Sequence, residues 1–380
     1  VITFPVLKSA IITPVNTSQL IILAEKHCMK KYYCKPDLTN MTLEEIEEFI
    51  AHLGKKKYRA RQIMKWMYQS GVSSFDEMTN LSKAFRNEIK ELARITFPLI
   101  DEIQESKDGT KKVLLRLEDG SLIESVLIRE KNHWTQCVST QVGCAMGCKF
   151  CLTGRYGLKR NLLPSEIVGQ ISALRFNTPE GKNIKSIVMM GMGEPLSNYE
   201  NTLKAITIIT SDVGPGVSKR KITVSTCGIT PMIRRLGEDA SVNLAVSLNA
   251  PDEKMRTTLM PVNRQFPLKE LIDACREYPM PRRRMITFEY ILMDGINDSV
   301  EDAKKLTSLL KGVHCKFNLI PFNEFPESDF KKPSDKKIRA FQNVLIKHHY
   351  TTMVRPSKGN DILAACGQLS GRKHESNHHS

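Results

Sequence analysis

Cys144-Ala145-Met146-Gly147-Cys148-Lys149-Phe150-Cys151 places three thiols on one short loop with the spacing C-x3-C-x2-C. A four-iron cluster ordinarily takes four cysteines, so three are one short. The fourth iron would stay open, and an open position on a metal centre is where a substrate or cofactor binds and is transformed. The same thiols with a distant His or Cys would also make a zinc knob, and an iron–sulfur electron carrier is a further alternative. A gap of three then two, with Phe150 just before the last thiol, is unusual for zinc. By themselves the residues indicate a low-coordinate metal site.

Beyond this loop, strands and helices alternate. Helical patterns over 164–176, 199–209, 268–276, 300–311 and 336–347 separate apolar strands over 186–190, 221–225, 242–248, 286–292, 316–321 and 352–355. That alternation implies a parallel sheet covered by helices. Roughly six such units make an α/β fold, a partial TIM-like (β/α)6 barrel open at one side, with its site in the loops at the carboxyl ends of the strands. A strand over 137–141 leads into the cysteine loop and puts the thiols at that rim. Other strand ends carry small polar residues: Gly191-Met192-Gly193-Glu194-Pro195, Ser225-Thr226-Cys227-Gly228, Ser247-Leu248-Asn249-Ala250 and Pro321-Phe322-Asn323. Together they suit a pocket for a polar nucleoside cofactor.

Ahead of the barrel the pattern is helical. Thr42 and Glu45 form a capping box, and Leu43, Ile46, Phe49, Ile50 and Leu53 share a face that Gly54 terminates. A second helix opens on Lys55-Lys56-Lys57-Tyr58-Arg59-Ala60-Arg61 and runs to Gly71, and a third covers 81–92. Basic rims on short helices give 41–100 the character of an RNA-docking domain that contacts phosphates; solvated helix ends fit equally. Asp108-Gly109 and Asp119-Gly120 bracket a strand over 112–117, followed by one over 122–128, a β-hairpin within 101–135. The barrel then spans 136–370 and a polar tail 371–380. By pattern alone, Glu124 between Ile123 and Val126 is a solvent-facing strand residue. Residues 1–40 read as a poorly ordered leader, with Met29 and Met41 as alternative starts; Pro5, Lys8 and Pro14 interrupt its apolar stretch, which suits neither a membrane span nor a signal peptide.

The 380 residues carry 56 Lys+Arg against 41 Asp+Glu, a formal charge of +15. Such an excess points to a polyanionic partner, nucleic acid before membrane. Ten cysteines without a secretory signal indicate a reducing, cytoplasmic setting in which thiols serve as ligands or nucleophiles.

The triad and its context resemble the radical S-adenosylmethionine (SAM) superfamily, which implies SAM chelated by the open iron and cleaved to a 5′-deoxyadenosyl radical. Further segments narrow the resemblance: Cys137-Val138-Ser139-Thr140-Gln141-Val142-Gly143-Cys144, Gly191 to Pro195, Ser218-Lys219-Arg220, Ser247 to Pro251, and Asp361-Ile362-Leu363-Ala364-Ala365-Cys366-Gly367-Gln368-Leu369. From about Met41 to Leu369 the chain is similar to the RlmN family of adenine-C2 RNA methyltransferases. The Cfr-type enzymes, which methylate C8 of the same ribosomal adenosine, share most of these motifs and are the alternative. The resemblance implies that Cys144, Cys148 and Cys151 hold a [4Fe-4S] cluster. It makes Cys366 the S-methylcysteine intermediate, Cys137 the resolving thiol that forms a transient disulfide with it, and Glu124 a proton acceptor rather than an exposed strand residue. Gly193, Glu194, Ser225, Leu248, Asn249, Ala250 and Asn323 fall at SAM-contacting positions, Asn249 where some members carry His. Cys28, Cys34, Cys227, Cys275 and Cys315 match no catalytic position and read as buried structural thiols. The implied partners are 23S rRNA at the peptidyl-transferase centre, tRNA beside the anticodon, and a flavodoxin- or ferredoxin-like electron donor, with the enzyme a monomer.

Overall fold

The computed structural model describes residues 35–281 and 283–372. Among the described residues three α-helices come first: α1 (Leu43–His52), α2 (Tyr58–Gln69) and α3 (Lys83–Leu92). At the start of α1 the Thr42 hydroxyl accepts from the Glu45 N–H while the Glu45 carboxylate accepts from the Thr42 N–H, closing the capping box. Ile46 and Ile50 are buried. The lysine run precedes α2 instead of opening it, with Lys57 as an N-cap that makes no side-chain bond. Part of the expected leader is packed: Asp37 bridges to Arg94, and Leu38 is fully buried. Residues 1–34, with Cys28, Cys34 and Met29, lie outside the described residues, as does the tail from 373 onward.

Twelve strands follow: β1 (Leu99–Glu105), β2 (Lys111–Arg116), β3 (Leu122–Arg129), β4 (Trp134–Cys137), β5 (Gln141–Gly143), β6 (Leu158–Asn161), β7 (Ile184–Met189), β8 (Ile222–Thr226), β9 (Asn243–Ser247), β10 (Ile286–Leu292), β11 (Cys315–Pro321) and β12 (Thr351–Val354). Between and after them run α4 (Leu152–Arg155), α5 (Pro164–Asn177), α6 (Tyr199–Thr210), α7 (Thr230–Asp239), α8 (Glu253–Leu259), α9 (Leu268–Glu277), α10 (Val300–Leu309) and α11 (Asp335–Lys347). Ten strands form one sheet in the order β1-β2-β3-β4-β7-β8-β9-β10-β11-β12. From β4 to β12 every pairing is parallel, with α5, α6, α7, α9, α10 and α11 in the six successive connections. This is the partial (β/α)6 barrel. It stays open because the outer side of β4 is taken by antiparallel β3, which continues through β2 to β1. The expected hairpin is therefore a three-stranded extension of the barrel's own sheet.

Strand alternation explains which side chains reach the site. In β10, Phe288 packs toward Phe317 with ring centres 6.2 Å apart, and Tyr290 toward Phe341 of α11 at 5.3 Å. The intervening Glu289 and Ile291 point the other way and line the cavity at the barrel's end.

The strand expected over 137–141 is split. Val138 still donates to Val188 in the sheet, but the N–H groups of Thr140 and Gln141 both turn to Met192 O. The chain then leaves the barrel as β5 and pairs with β6 in a separate antiparallel ribbon. The cysteine loop is strung between these two short strands. Among the described residues no helix is long and apolar enough to cross a membrane.

Candidate active site

Cys144, Cys148 and Cys151 line one cavity at the carboxyl ends of β7 to β11, together with Gly193, Glu194, Ser225, Asn249 and Cys366. Burial pushes the Cys144 thiol up to about 12, the Cys148 thiol well above its usual range, and Cys151 upward too. A bound metal group would displace those protons, since thiolates are the ligating form. Among the described residues no three His, Cys, Asp or Glu side chains converge on a single-ion site. The donor set fits an iron–sulfur cluster: three soft sulfurs on one loop, opening into a cavity whose remaining wall is built by strand-end loops.

Those loops are tightly fixed. Gly193 has φ 98°, and a Cβ there would stand 2.5 Å from the Gln141 Cβ and 2.7 Å from its N. Only glycine allows the approach. The next residue, Glu194, is buried, and its carboxylate accepts from Cys227 N at 2.7 Å and Leu196 N at 3.0 Å. Desolvation raises its pKa even so, against the lowering effect of these bonds. The remaining lone pairs of that carboxylate are what a ligand ammonium would meet.

On the neighbouring strand β8 the Ser225 hydroxyl donates to Glu289 Oε2 at 3.2 Å. Asn249 sits in the left-handed region with φ 57°. Its Oδ1 accepts from Ile291 N at 2.8 Å and its Nδ2 approaches Met260 Sδ at 3.4 Å, so the side chain ties β10 to the turn after α8. Flanking it, Leu248 N donates to Glu289 O and Ala250 N to Leu248 O. Asn323 acts on the other thiol segment: its Nδ2 donates to the Cys366 carbonyl at 3.1 Å while its Oδ1 accepts from Ser357.

Cys366 lines the cavity, and its charge reaches Cys137 at the end of β4. Burial pushes Cys137 up to about 12, the charge of Cys366 pushes in the same direction, and Arg355 opposes both. Burial raises Cys366 as well, and Arg355 again counteracts it. Glu124 is buried, not solvent-facing, which overturns the pattern-only assignment. It does not line the cysteine cavity. Its Oε2 accepts from Ser370 N at 2.7 Å and Gly371 N at 3.0 Å, and its Oε1 lies 3.6 Å from Lys112 Nζ. Ser370, the last residue of the expected barrel span, and Gly371, the first of the expected tail, thus form a strap over this carboxylate, held further by Arg372 stacked on Tyr156 at 3.8 Å.

A family model described as the ribosomal RNA large subunit methyltransferase N-terminal domain matches residues 36–95, and the radical SAM superfamily model matches 138–307. The dual-specificity RNA methyltransferase RlmN of Syntrophus aciditrophicus is 63% identical over 336 residues, 88% of this chain and 97% of that protein. The chain belongs to the RlmN family of radical SAM RNA methyltransferases. Another RlmN, from Geobacter sulfurreducens, is 49% identical over 88% of this chain and 92% of its own length. The crystal structure of a radical SAM methyltransferase from Sphaerobacter thermophilus superposes with a TM-score of 0.84 at 44% identity, covering 89% of this chain and all of that one.

For an RlmN-family enzyme, membership in the superfamily brings SAM and an iron–sulfur cluster. The matched N-terminal stretch coincides with α1 to α3 and includes residues 36–40, in keeping with the buried Leu38. Cys227, Cys275 and Cys315 are buried as expected, although Cys227 also lines the cavity. Sequence reasoning passes over Glu289, Arg355 and Arg256. A lone carboxylate inside the apolar run Ile286-Thr287-Phe288-Glu289-Tyr290-Ile291-Leu292 is the one available signal, because an unpaired charge is not placed in a core strand without use.

Proposed function

We propose that this enzyme adds a methyl group to C2 of adenosine in 23S rRNA at the peptidyl-transferase centre and in tRNA beside the anticodon, using two molecules of SAM and a methylated Cys366. The observation that carries the proposal is the convergence of Cys366 and the three-cysteine loop on one cavity at the carboxyl ends of the barrel strands. The relatives' name, dual-specificity RNA methyltransferase, supports the pair of RNA substrates, and the excess positive charge suits them.

Cys144, Cys148 and Cys151 would hold a [4Fe-4S] cluster, which with SAM would supply the radical chemistry that activates the Cys366 methyl. Gly193, Glu194, Ser225, the Leu248 to Ala250 loop and Asn323 shape the surrounding wall and hold SAM. Cys366 Sγ carries the carbon onto the adenine ring, which leaves protein and RNA covalently joined. Glu124 takes the ring proton. The unpaired electron of the adduct passes back to the flavodoxin- or ferredoxin-like partner. Cys137 Sγ then attacks Cys366 Sγ and breaks the sulfur–carbon bond; the carbon keeps the bonding pair and takes a proton to become the methyl group, and a disulfide is left for external thiols to reduce. For Glu124 to reach the base, the strap at Ser370 and Gly371 must lift as RNA enters. A flavodoxin- or ferredoxin-like donor supplies the electron, in a cytoplasmic, reducing setting, to a monomeric enzyme.

Cys366→Ala tests the division of labour. The variant should assemble the cluster and cleave SAM yet methylate no RNA, whereas Cys144→Ala, Cys148→Ala or Cys151→Ala should lose iron and labile sulfide. RNA methylation by Cys366→Ala would refute the proposal.

A further inference from the structure

Among the described residues Arg256 is the largest fully buried side chain, and no carboxylate forms an ion pair with it. Its Nη1 donates to the carbonyls of Ser247, at 2.9 Å, and Leu248 and lies 3.2 Å from Met260 Sδ, while Nη2 donates to the Cys227 carbonyl. Its Nε has no partner. Burying a guanidinium is costly, because an ion gives up its hydration on leaving water. Carbonyl dipoles offset part of this, but a charge so placed ordinarily faces an anion.

The acceptors show where that anion would be. Cys227 follows the end of β8, and Ser247 and Leu248 mark the end of β9. Met260 and Cys227 both line the cavity with the three cysteines. On the same turn, Lys149 N donates to Leu259 O at 2.9 Å, docking the cysteine loop against the end of α8. Phe150, Leu152, Cys227, Leu259 and Met260 share one apolar cluster, with Cys148 and Cys151 packed on it. The guanidinium charge is felt at Cys148. Arg256 thus stands one layer behind the cavity wall, bonded to two of its loops.

We propose that Arg256 is a positioning residue that also acts through its charge. Its hydrogen bonds lock the strand-end loops at Cys227 and at Ser247–Leu248 in the form that receives SAM, and its charge offsets the negative charge gathered when three thiolates hold the cluster and the SAM carboxylate binds. This rests on the assignment of Cys144, Cys148 and Cys151 as cluster ligands. A cation fixed in a low-dielectric wall favours the more negative, reduced form of the cluster, the form that must give its electron to SAM.

The test uses the reconstituted full chain as wild type, Arg256→Met and Arg256→Lys, with EPR-monitored redox titration and equilibrium SAM binding. Arg256→Met should bind SAM at least about tenfold more weakly, and its cluster should be about tenfold harder to reduce, 59 mV for a one-electron couple. Arg256→Lys should keep the wild-type potential through its charge but still lose SAM affinity, because the fork of hydrogen bonds is gone. Wild-type potential and affinity in Arg256→Met would overturn the inference. So would equal potential shifts in both variants, which would leave the charge without a role. Failure of both variants to melt cooperatively would make Arg256 a folding element and overturn it too. A wild-type protein with no SAM-responsive cluster signal would instead sink the ligand assignment itself, an outcome separable from all of these.

Discussion

Replacing Glu124 with Gln should free the strap that follows Cys366. Both the Glu124 side chain, 1% exposed, and Lys112, 4% exposed, are buried and stand 3.6 Å apart. The carboxylate also receives the Ser370 and Gly371 N–H groups on a single oxygen. Hydrogen bonds to a charged acceptor contribute about 1.5–3 kcal/mol each, against roughly 1 kcal/mol for a neutral one. A neutral amide oxygen in the same place would weaken the two together by about 2–3 kcal/mol, so the amides of Ser370 and Gly371 should exchange hydrogen roughly 30- to 150-fold faster, at 1.36 kcal/mol per tenfold. Lys112, whose Nζ has no hydrogen-bond partner and whose pKa burial already lowers, would be left without its anion. Removing it as well, in Lys112→Met/Glu124→Gln, should therefore recover part of the loss, because a buried pair removed whole costs less than one broken. Hydrogen–deuterium exchange of the peptide spanning 366–372, read by mass spectrometry in all four proteins of the cycle, gives the coupling. Wild-type exchange in Glu124→Gln, or a double variant no better than that single one, would refute the latch.

Three other outcomes follow from the same geometry. Gly193→Ala should destabilise the cluster-free protein by about 2–5 kcal/mol, since a strained positive φ costs about 1–3 kcal/mol and overpacking against Gln141 about as much again; an unchanged urea midpoint would contradict the crowding seen there. Cys137→Ala should trap protein joined to RNA, visible as a slow band on a denaturing gel, and absence of any such species would remove Cys137 from its assigned role. Because burial raises the Glu194 carboxyl above its ordinary value of 4.5, the folded state holds that proton more tightly than the unfolded chain. Its contribution to the stability of the cluster-free protein should therefore grow as pH falls through the raised pKa and shrink as pH rises, a component that Glu194→Gln should abolish in urea midpoints taken from neutral pH to about 5. A pH profile identical in the two proteins would count against it.

Local patterns that agree with tertiary packing are legible in the sequence. The Thr42/Glu45 box and the apolar run at Ile286–Leu292 are elements with the expected bounds or nearly so. What escapes is decided by distant contacts. Strand β1 is hidden because Leu99-Ile100-Asp101-Glu102-Ile103-Gln104-Glu105 is an edge strand with no fully buried residue. Helix α7 is hidden because Pro231 and Gly237 punctuate it; Pro231 lies in its first turn, where it is tolerated, and a side chain at Gly237 would meet Pro279. The strand expected over 137–141 is too long because Met192, far along the chain, captures two of its amides. In the site, the cysteine triad is contiguous and so stands out. Glu124 and Arg256 do not, because a charged residue reads as exposed until the fold shows what buries it.

Which adenine carbon is methylated is settled by RNA substrate labelled at adenosine C2 with deuterium, digested after reaction and read by position-resolved nucleoside mass spectrometry. Methylation at C2 predicts a methylated nucleoside with no deuterium left on ring carbon 2, while a C8-deuterated substrate keeps its label on carbon 8. Deuterium still bonded to carbon 2 of the methylated product, with loss from carbon 8, would contradict the account and place the chemistry with the C8 enzymes.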